Sequence, residues 1–272
     1  MSSIDPALLE DWRGAVGRRT VETQRLELEP LRRYAVAVGA GACIEQALPP
    51  LAHWAWFLPL PLDTQIGEDG HPRRGDFLPA ITLPRRMFAA AQIEFCDDLA
   101  IGEEADLTST IVDVAHKSGK SGDLVFAEVE KVLSQAGAVR VRERQSYVYR
   151  GDGGPTAMPT PLADAIEGEI WRPTEVSLFR FSAVTFNGHR IHYDQPYATQ
   201  VEGYPSLVVH GPFTAAKLAG LAGRPGALAS FSFRAQSPLF LGQPIYLQRQ
   251  EDGARAVRCD GAVAMTAQAR LK

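Results

Sequence analysis

Apolar residues alternate with polar ones, or form short β-branched and aromatic runs, in four consecutive segments of the first half of the chain. These segments are residues 87–99, 105–117, 124–135 and 139–150, with glycines in the stretches that separate them. A period of two places every second side chain on the same face of a half-buried strand. The pattern therefore predicts four successive antiparallel strands.

The second half repeats this order of elements. A short extended stretch and a helical stretch precede four further strand patterns, at residues 230–240, 244–252, 256–263 and 264–272. Two short matches support a duplication: Leu-Ala-Ile-Gly at 99–102 resembles Leu-Phe-Leu-Gly at 239–242, and Arg-Tyr-Ala at 33–35 resembles Arg-Phe-Ser at 180–182. Internal repeats of this kind indicate that one structural unit occurs twice.

The Gly- and Pro-rich segment 151–162 divides the chain nearly in half and has the composition of an exposed linker. We therefore expect an N-terminal domain of residues 1–150, a linker of residues 151–162 and a C-terminal domain of residues 163–272. One helix with several antiparallel strands bent around it is an α+β unit. Two such units side by side would form one continuous sheet.

The composition excludes several classes of function. The 272 residues carry a formal net charge of −4, and no dense run of Lys and Arg offers a surface for a nucleic acid. The N-terminus has no apolar targeting segment, and no apolar stretch is long enough to cross a bilayer. Three cysteines without a CxxC pair argue against a disulfide framework and a zinc site. We expect a cytoplasmic homo-oligomer that binds neither nucleic acid nor membrane and holds no metal.

Residues 179–215 carry the most informative motif of the chain. An aromatic residue, Phe181, precedes Ile-His-Tyr-Asp at 191–194, and a His-Gly pair at 210–211 opens a predicted helix. This segment resembles the signature of the MaoC-like, or type 2, enoyl-CoA hydratases, which have the hotdog fold. Two features depart from the usual signature. Asn187 stands where the family usually carries its catalytic Asp, and His189-Arg190 replaces the usual Asn-Pro.

The variant motif Phe-Asn-x-His-Arg-Ile-His-Tyr-Asp is similar to that of a double-hotdog subgroup, which includes itaconyl-CoA hydratase, mesaconyl-C4-CoA hydratase and mitochondrial hydroxyacyl-thioester dehydratase type 2. The similarity extends to residues 67–79 and 83–91. It implies a double hotdog, in which each of two tandem units wraps an antiparallel sheet around a central helix. It also implies a hydro-lyase that acts on an α,β-unsaturated acyl-CoA thioester. Coenzyme A is then part of the substrate, and no further cofactor is expected.

The subgroup favours one class of substrate, the branched C5 dicarboxylic monothioesters. Itaconyl-CoA and mesaconyl-C4-CoA are examples, and either gives citramalyl-CoA on hydration. A 3-hydroxyacyl thioester of fatty acid synthesis is the competing substrate. Two functions of other classes also stay open, a hotdog thioesterase and a non-catalytic acyl-CoA-binding protein. Release of free thiol would identify the thioesterase, and tight binding without turnover would identify the binding protein.

Hydration of such a thioester needs a base for water, a proton for Cα and a donor that stabilises the enolate oxygen. His192 is expected to be the base, because an imidazole titrates near neutral pH. Asn187 cannot be a base, but its amide can hold the same water in line with Cβ. Gly211 stands at the predicted helix start, which Pro212 favours, and its N–H can bind the thioester oxygen.

Five further residues are expected to contribute to the substrate site. Arg85 and Arg86 are interpreted as ligands of a free carboxylate or of CoA phosphates, or else as a solvated pair. The other three, His189, His210 and Tyr193, lie within or beside the motif and are predicted to bind substrate. For His189 and His210 the alternative is a role as hydrogen-bonded supports of the site.

Other segments are expected to support the site or the substrate. The Gly-rich loop 67–76, which carries His71, fits either a lid or a surface turn. Asp194 is predicted to cap a helical segment that follows it. In the first half, Ala40 and Glu45 occupy the positions that correspond to Asn187 and His192. That copy is therefore expected to have lost the catalytic pair and to serve substrate binding.

Overall fold

The computed structural model describes residues 4–41, 44, 48–119 and 122–272. The strands within these ranges are β1 (Arg19–Arg25), β2 (Arg85–Phe95), β3 (Glu104–Gly119), β4 (Gly122–Gln135), β5 (Ala138–Arg150), β6 (Glu169–Trp171), β7 (Leu228–Ala235), β8 (Ile245–Gln250), β9 (Gly253–Arg258) and β10 (Val263–Leu271). The α-helices are α1 (Pro6–Arg13), α2 (Leu28–Val38), α3 (Glu175–Val184) and α4 (Gly211–Ala222). No helix in the described ranges is both long enough and apolar enough to span a bilayer.

All ten strands belong to one antiparallel sheet with the order β1-β3-β4-β5-β2-β7-β10-β9-β8-β6. Outward from the central pair β2 and β7, the first half gives β5, β4, β3 and β1. The second half gives β10, β9, β8 and β6. From the centre outward, each half therefore contributes its second, fifth, fourth, third and first strand, so the two halves have the same topology. Residues 90–94 of β2 pair with residues 230–234 of β7, so the two halves share one continuous sheet as predicted.

The two sequence matches fall at equivalent places in the two halves. Residues 33–35 lie in α2 and residues 180–182 lie in α3. The other match forms the turns that precede β3 and β8, and its glycines Gly102 and Gly242 have φ angles of 85° and 89°. Glycine adopts this left-handed conformation without the steric cost that a Cβ would add. The conserved turn chemistry explains why this short match persists between the halves.

The eight predicted strands are all present. Their bounds differ in places. The strand predicted at residues 256–263 is β9, which begins at Gly253 and ends at Arg258, before a turn at residues 259–262. Strand β7, predicted to reach residue 240, ends at Ala235, where the chain turns. The N–H groups of Gln236 and Ser237 both donate to Ala264 O, which fixes this turn. Residues 151–162 contain no helix or strand, and the division into domains at this segment stays a prediction.

The two units differ in the helices that cover the sheet. Helix α4 packs against β8, β9 and β10, and its buried face consists of small and apolar residues such as Phe213, Ala215 and Leu218. In the first half, the described residues between α2 and β2 form only short 3-10 turns, at Ala52–Ala55 and Asp63–Gln65. The sheet of the first half is therefore less covered, which leaves room for a cavity. Glu45 lies outside the described residues, so the predicted counterpart of His192 is not placed.

Candidate active site

A cavity of about 910 Å³ lies where β2, α3 and the start of α4 meet. Side chains of both halves line it, so the two units together form one site. Seven of the eight predicted site residues line this cavity, namely Asn187, His192, Gly211, Arg85, Arg86, His189 and Tyr193. Tyr193 lies at its edge, half-exposed, and its hydroxyl donates to Gly188 O at 2.9 Å.

His192 ends a single 3-10 turn, Arg190–His192, and its ring is held by the backbone of the segment that leads to α4. Its Nδ1 lies 2.7 Å from Val208 O. A carbonyl oxygen can only accept, so Nδ1 carries the proton and Nε2 of the neutral ring has the free lone pair. Burial lowers the pKa of His192 to about 4. The ring is therefore neutral at pH 7 and able to accept a proton at Nε2.

His210 lies behind His192, and the two rings stack with centroids 3.7 Å apart and an interplanar angle of 19°. Ser182 Oγ is 2.8 Å from His210 Nε2, and the His210 side chain is fully buried. Burial, with a contribution from His192, lowers the pKa of His210 well below its usual value. His210 is not among the residues that line the cavity, and its position against His192 fits the alternative of a hydrogen-bonded support.

Asn187 follows a tight turn at the end of α3, where Phe186 has a φ of 48° and Asn187 N–H donates to Ser182 O. The side-chain Oδ1 accepts a hydrogen bond from His189 N–H at 3.0 Å. Among the residues that the structure describes, Nδ2 has no partner, and Asn187 lines the cavity. Asn187 can therefore offer a ligand chiefly an N–H donor, because its side-chain oxygen already accepts a hydrogen bond from the loop.

The loop of residues 67–72 from the first half packs directly on the His192 loop. Arg190 N–H donates to Asp69 O at 2.9 Å, and the His71 ring lies 4.0 Å from the His189 ring. Burial opposes ionisation of Asp69, but hydrogen bonds from His71 lower its pKa to about 2. The sequence allowed this loop to be either a lid or a surface turn. Residues 70–72 in fact form part of the cavity wall.

The adjacent arginines at the start of β2 have different surroundings. Arg85 Nε lies 3.1 Å from Glu202 Oε2, and Arg85 Nη2 donates to Glu202 O at 2.6 Å. Arg86 Nη2 donates to Pro72 O at 3.3 Å. Arg85 thus forms an ion pair within the protein, and its contacts with Glu202 connect β2 to residues 202–204. Arg85 lines the cavity but is paired with Glu202, and its role in substrate binding stays a prediction.

Gly211 begins α4, and no side chain of the described residues caps this helix end. The first backbone N–H groups of a helix lack intrahelical acceptors and carry the positive end of the helix dipole. A Cβ at Gly211 would lie 3.5 Å from Phe88 O, which shows how closely β2 passes this helix start. The site therefore combines a neutral imidazole, an amide donor and a helix N-terminus around one cavity.

The model of the hydroxyacyl-thioester dehydratase type 2 family matches residues 51–241. The chain belongs to this family. It is 43% identical to the mesaconyl-C(4)-CoA hydratase of Chloroflexus aurantiacus, over 96% of this chain and 98% of that protein.

Solved structures agree with this family at the level of the fold. A MaoC-like dehydratase from Phytophthora capsici superposes with a TM-score of 0.67 at 14% identity, and the match covers 97% of each chain. A conserved hypothetical protein from Mycobacterium tuberculosis with a double hotdog fold gives 0.53 at 13% identity, over 93% of this chain and 95% of that one. The predictions of a double hotdog fold and of a MaoC-like hydro-lyase are confirmed.

One group of cavity residues was missed in the sequence. Glu143 on β5 is 2% exposed, lies 3.1 Å from His53 Nε2 and accepts a hydrogen bond from Trp54 Nε1. Gln145 Nε2 donates to the same carboxylate, and Tyr147 O–H donates to Gln145. The signal was present, because Glu143 and Gln145 occupy inward positions of an alternating strand where apolar residues are expected.

Proposed function

We propose that the chain interconverts an α,β-unsaturated C5 dicarboxylic monothioester of coenzyme A and its hydrated product, with mesaconyl-C4-CoA or itaconyl-CoA giving citramalyl-CoA. The observation that carries this proposal is the free Nε2 of neutral His192 in one cavity with the uncapped start of α4. The identity to a mesaconyl-C(4)-CoA hydratase over nearly the whole chain supports the substrate class. A homo-oligomer in the cytoplasm, without a metal or a further cofactor, stays a prediction from the sequence.

With mesaconyl-C4-CoA, whose double bond is conjugated to the thioester, the proposed reaction moves one proton and one water oxygen. His192 Nε2 removes a proton from water as the water oxygen forms a bond to Cβ. The electron pair of the double bond shifts towards Cα and the thioester carbonyl, which becomes an enolate oxygen. The N–H of Gly211 donates to that oxygen at the positive end of α4. The imidazolium of His192 then returns the proton to Cα, and the ring regains its neutral form.

The residues of the site give less support to two other functions, a thioesterase and a 3-hydroxyacyl dehydratase. A thioesterase of this fold usually needs an acidic residue on or near the central helix, and α4 contains neither Asp nor Glu. A 3-hydroxyacyl dehydratase of fatty acid synthesis would use the same catalytic groups and differ in its acyl pocket. Direct comparison of substrates is therefore the decisive experiment.

The assay follows the absorbance of the conjugated thioester with mesaconyl-C4-CoA and with crotonyl-CoA, and it follows itaconyl-CoA by chromatography. We expect loss of the conjugated absorbance without release of free thiol, and faster turnover of the dicarboxylic thioester. Thiol release at an unchanged double bond would replace the proposal with a thioesterase. Faster hydration of crotonyl-CoA would favour the fatty acid alternative.

Asn187→Ala is expected to lower kcat by about tenfold, because the variant loses an N–H donor that orients water but keeps the base. Asn187→Asp keeps an oxygen acceptor for His189 N–H and replaces the donor by a carboxylate, the group that MaoC-like enzymes usually carry here. Equal kcat losses in both variants would assign the effect to Nδ2. Wild-type kcat in Asn187→Ala would contradict the proposed donor role.

The rate of hydration is not expected to fall as the pH drops below neutrality, as it would with a histidine base of ordinary pKa. Because burial lowers the pKa of His192 to about 4, the ring stays unprotonated well below pH 6.5. The value of kcat/KM should therefore be constant from about pH 8 to about pH 5 and fall as the pH drops through the pKa. An acid limb centred near pH 6.5 would contradict this assignment.

Stability must be followed in the same experiment. The unfolded chain protonates His192 near pH 6.5, whereas the folded chain does so only near the lowered pKa of about 4. The free energy of unfolding therefore decreases as the pH falls through this interval. Tryptophan fluorescence at each pH distinguishes the titration of the folded enzyme from its unfolding.

A further inference from the structure

Arg86 is a buried cation that lacks an anionic partner. Its residue is 8% exposed, and its side chain lines the cavity. The hydrogen bond from Nη2 goes to the neutral carbonyl of Pro72 at 3.3 Å. No carboxylate in the described ranges lies within 4.0 Å of its guanidinium, whereas the neighbouring Arg85 is paired with Glu202. A charge taken out of water is costly unless it is paired, so an anion is expected beside Arg86 when the site is filled.

The groups around Arg86 add positive charge and little negative charge. Arg74 donates to the backbone carbonyl groups of residues 81, 83 and 84, and its guanidinium lies 5.3 Å from the centre of the Tyr149 ring. Asp69 is the nearby carboxylate, and its oxygens accept hydrogen bonds from the backbone and the ring of His71. The local charge therefore favours an anionic group of the ligand at this end of the cavity.

The position of Arg86 relative to the reacting atoms follows from β2. Phe88 on this strand passes the start of α4, where its carbonyl oxygen lies next to Gly211. Arg86 is two residues earlier on the same face, a separation of about 7 Å along a strand. A ligand whose thioester oxygen binds Gly211 N–H would thus reach Arg86 with the far end of a four-carbon unit. In mesaconyl-C4-CoA the free carboxylate is attached to Cβ, at that far end.

We propose that Arg86 is the residue that binds the free carboxylate of the acyl group and thereby selects dicarboxylic over monocarboxylic acyl-CoA thioesters. This inference rests on the proposed function, since it assigns the specificity of the same site. The planar guanidinium matches a carboxylate through two parallel N–H donors. Nη2 donates to Pro72 O and the Tyr149 hydroxyl also interacts with the guanidinium, so the N–H groups that these two oxygens do not use are left to the ligand.

A phosphate of coenzyme A is the other anion that could bind Arg86. The two sources are distinguished by substrates that share coenzyme A and differ only in the acyl group. If Arg86 binds phosphate, its removal weakens every acyl-CoA equally. If it binds the acyl carboxylate, only the dicarboxylic thioesters are affected.

The test compares wild type, Arg86→Met and Arg86→Lys with mesaconyl-C4-CoA and crotonyl-CoA. We expect Arg86→Met to lower the ratio of the two kcat/KM values by about 30-fold, and Arg86→Lys to lower it less, because a point charge remains. Arg144→Met is the matched control, since Arg144 lies on the exposed face of β5, paired with Glu128. It should leave the ratio unchanged. An equal loss on both substrates, or none, in Arg86→Met would overturn the assignment.

Binding without turnover separates this inference from the proposed reaction. Calorimetry with succinyl-CoA and butyryl-CoA, two saturated thioesters that differ by the free carboxylate, measures the same preference. Wild type should bind succinyl-CoA more tightly, and Arg86→Met should lose this preference. If neither unsaturated thioester is hydrated but this preference is present and depends on Arg86, the proposed reaction fails and the carboxylate site stands. If hydration is observed and the preference is absent, the reaction stands and the carboxylate site fails.

Discussion

His192→Ala should lower kcat by about 1000-fold, which lies within the range that general acid–base catalysis contributes. The variant removes the group that takes the proton from water and returns it to Cα. Two adjacent groups cannot take over this role, because the His210 ring is fully buried behind His192 and Asn187 has no basic nitrogen. Steady-state hydration of mesaconyl-C4-CoA and of crotonyl-CoA measures the loss, which should be similar for both substrates because each needs the same proton transfer.

His116→Ala is the matched control for this substitution. His116 lies on β3 beside Asp123, in the first half, and does not line the cavity. We expect its kcat to stay within about twofold of wild type, as for a residue outside the site. Binding of butyryl-CoA by the His192 variant shows that the cavity is intact. A His192→Ala enzyme with wild-type kcat and an intact cavity would exclude the imidazole from the chemistry.

The segment that carries Asn187 and His192 was recognisable in the sequence because its parts are close along the chain. Asn187 and His192 are five positions apart, and one turn of backbone brings both to the same cavity. The alternation of apolar residues likewise predicted the long strands, because a strand with one buried face imposes a period of two. These features depend on local sequence and needed no knowledge of the tertiary structure.

The wall that the first half contributes was not predictable in this way. Residues 67–72 and the His192 loop are more than a hundred positions apart, and only closure of the common sheet brings them together. The difference between Arg85 and Arg86 has the same origin. Adjacent residues at a strand start are alike in the sequence, and the partner that neutralises Arg85 is Glu202, in the other half. Long-range pairing decided which arginine remains available to a ligand.

Gly70→Ala is expected to lower kcat/KM by about 100-fold and to destabilise the protein, because Gly70 is the point where the two halves touch at the site. Its φ is 84°, and a Cβ there would lie 1.9 Å from Gly188 O, a backbone atom next to Asn187. The loop must therefore move away from residues 187–192. A displacement of about 1 Å in a catalytic group is enough for a 100-fold loss. Hydration kinetics and chemical denaturation measure the two effects.

Gly102→Ala separates backbone strain from displacement of the site. Gly102 has nearly the same φ, 85°, but a Cβ there meets no atom within 4 Å. The positive φ alone costs an alanine about 1–2 kcal/mol, so both variants should lose this much stability. Only Gly70→Ala should also lose activity, since only there does the added carbon push on the His192 loop. Equal activity of the two variants would mean that contact between residues 67–72 and the catalytic loop is not needed for turnover. The first half would then contribute to the reaction through substrate binding alone.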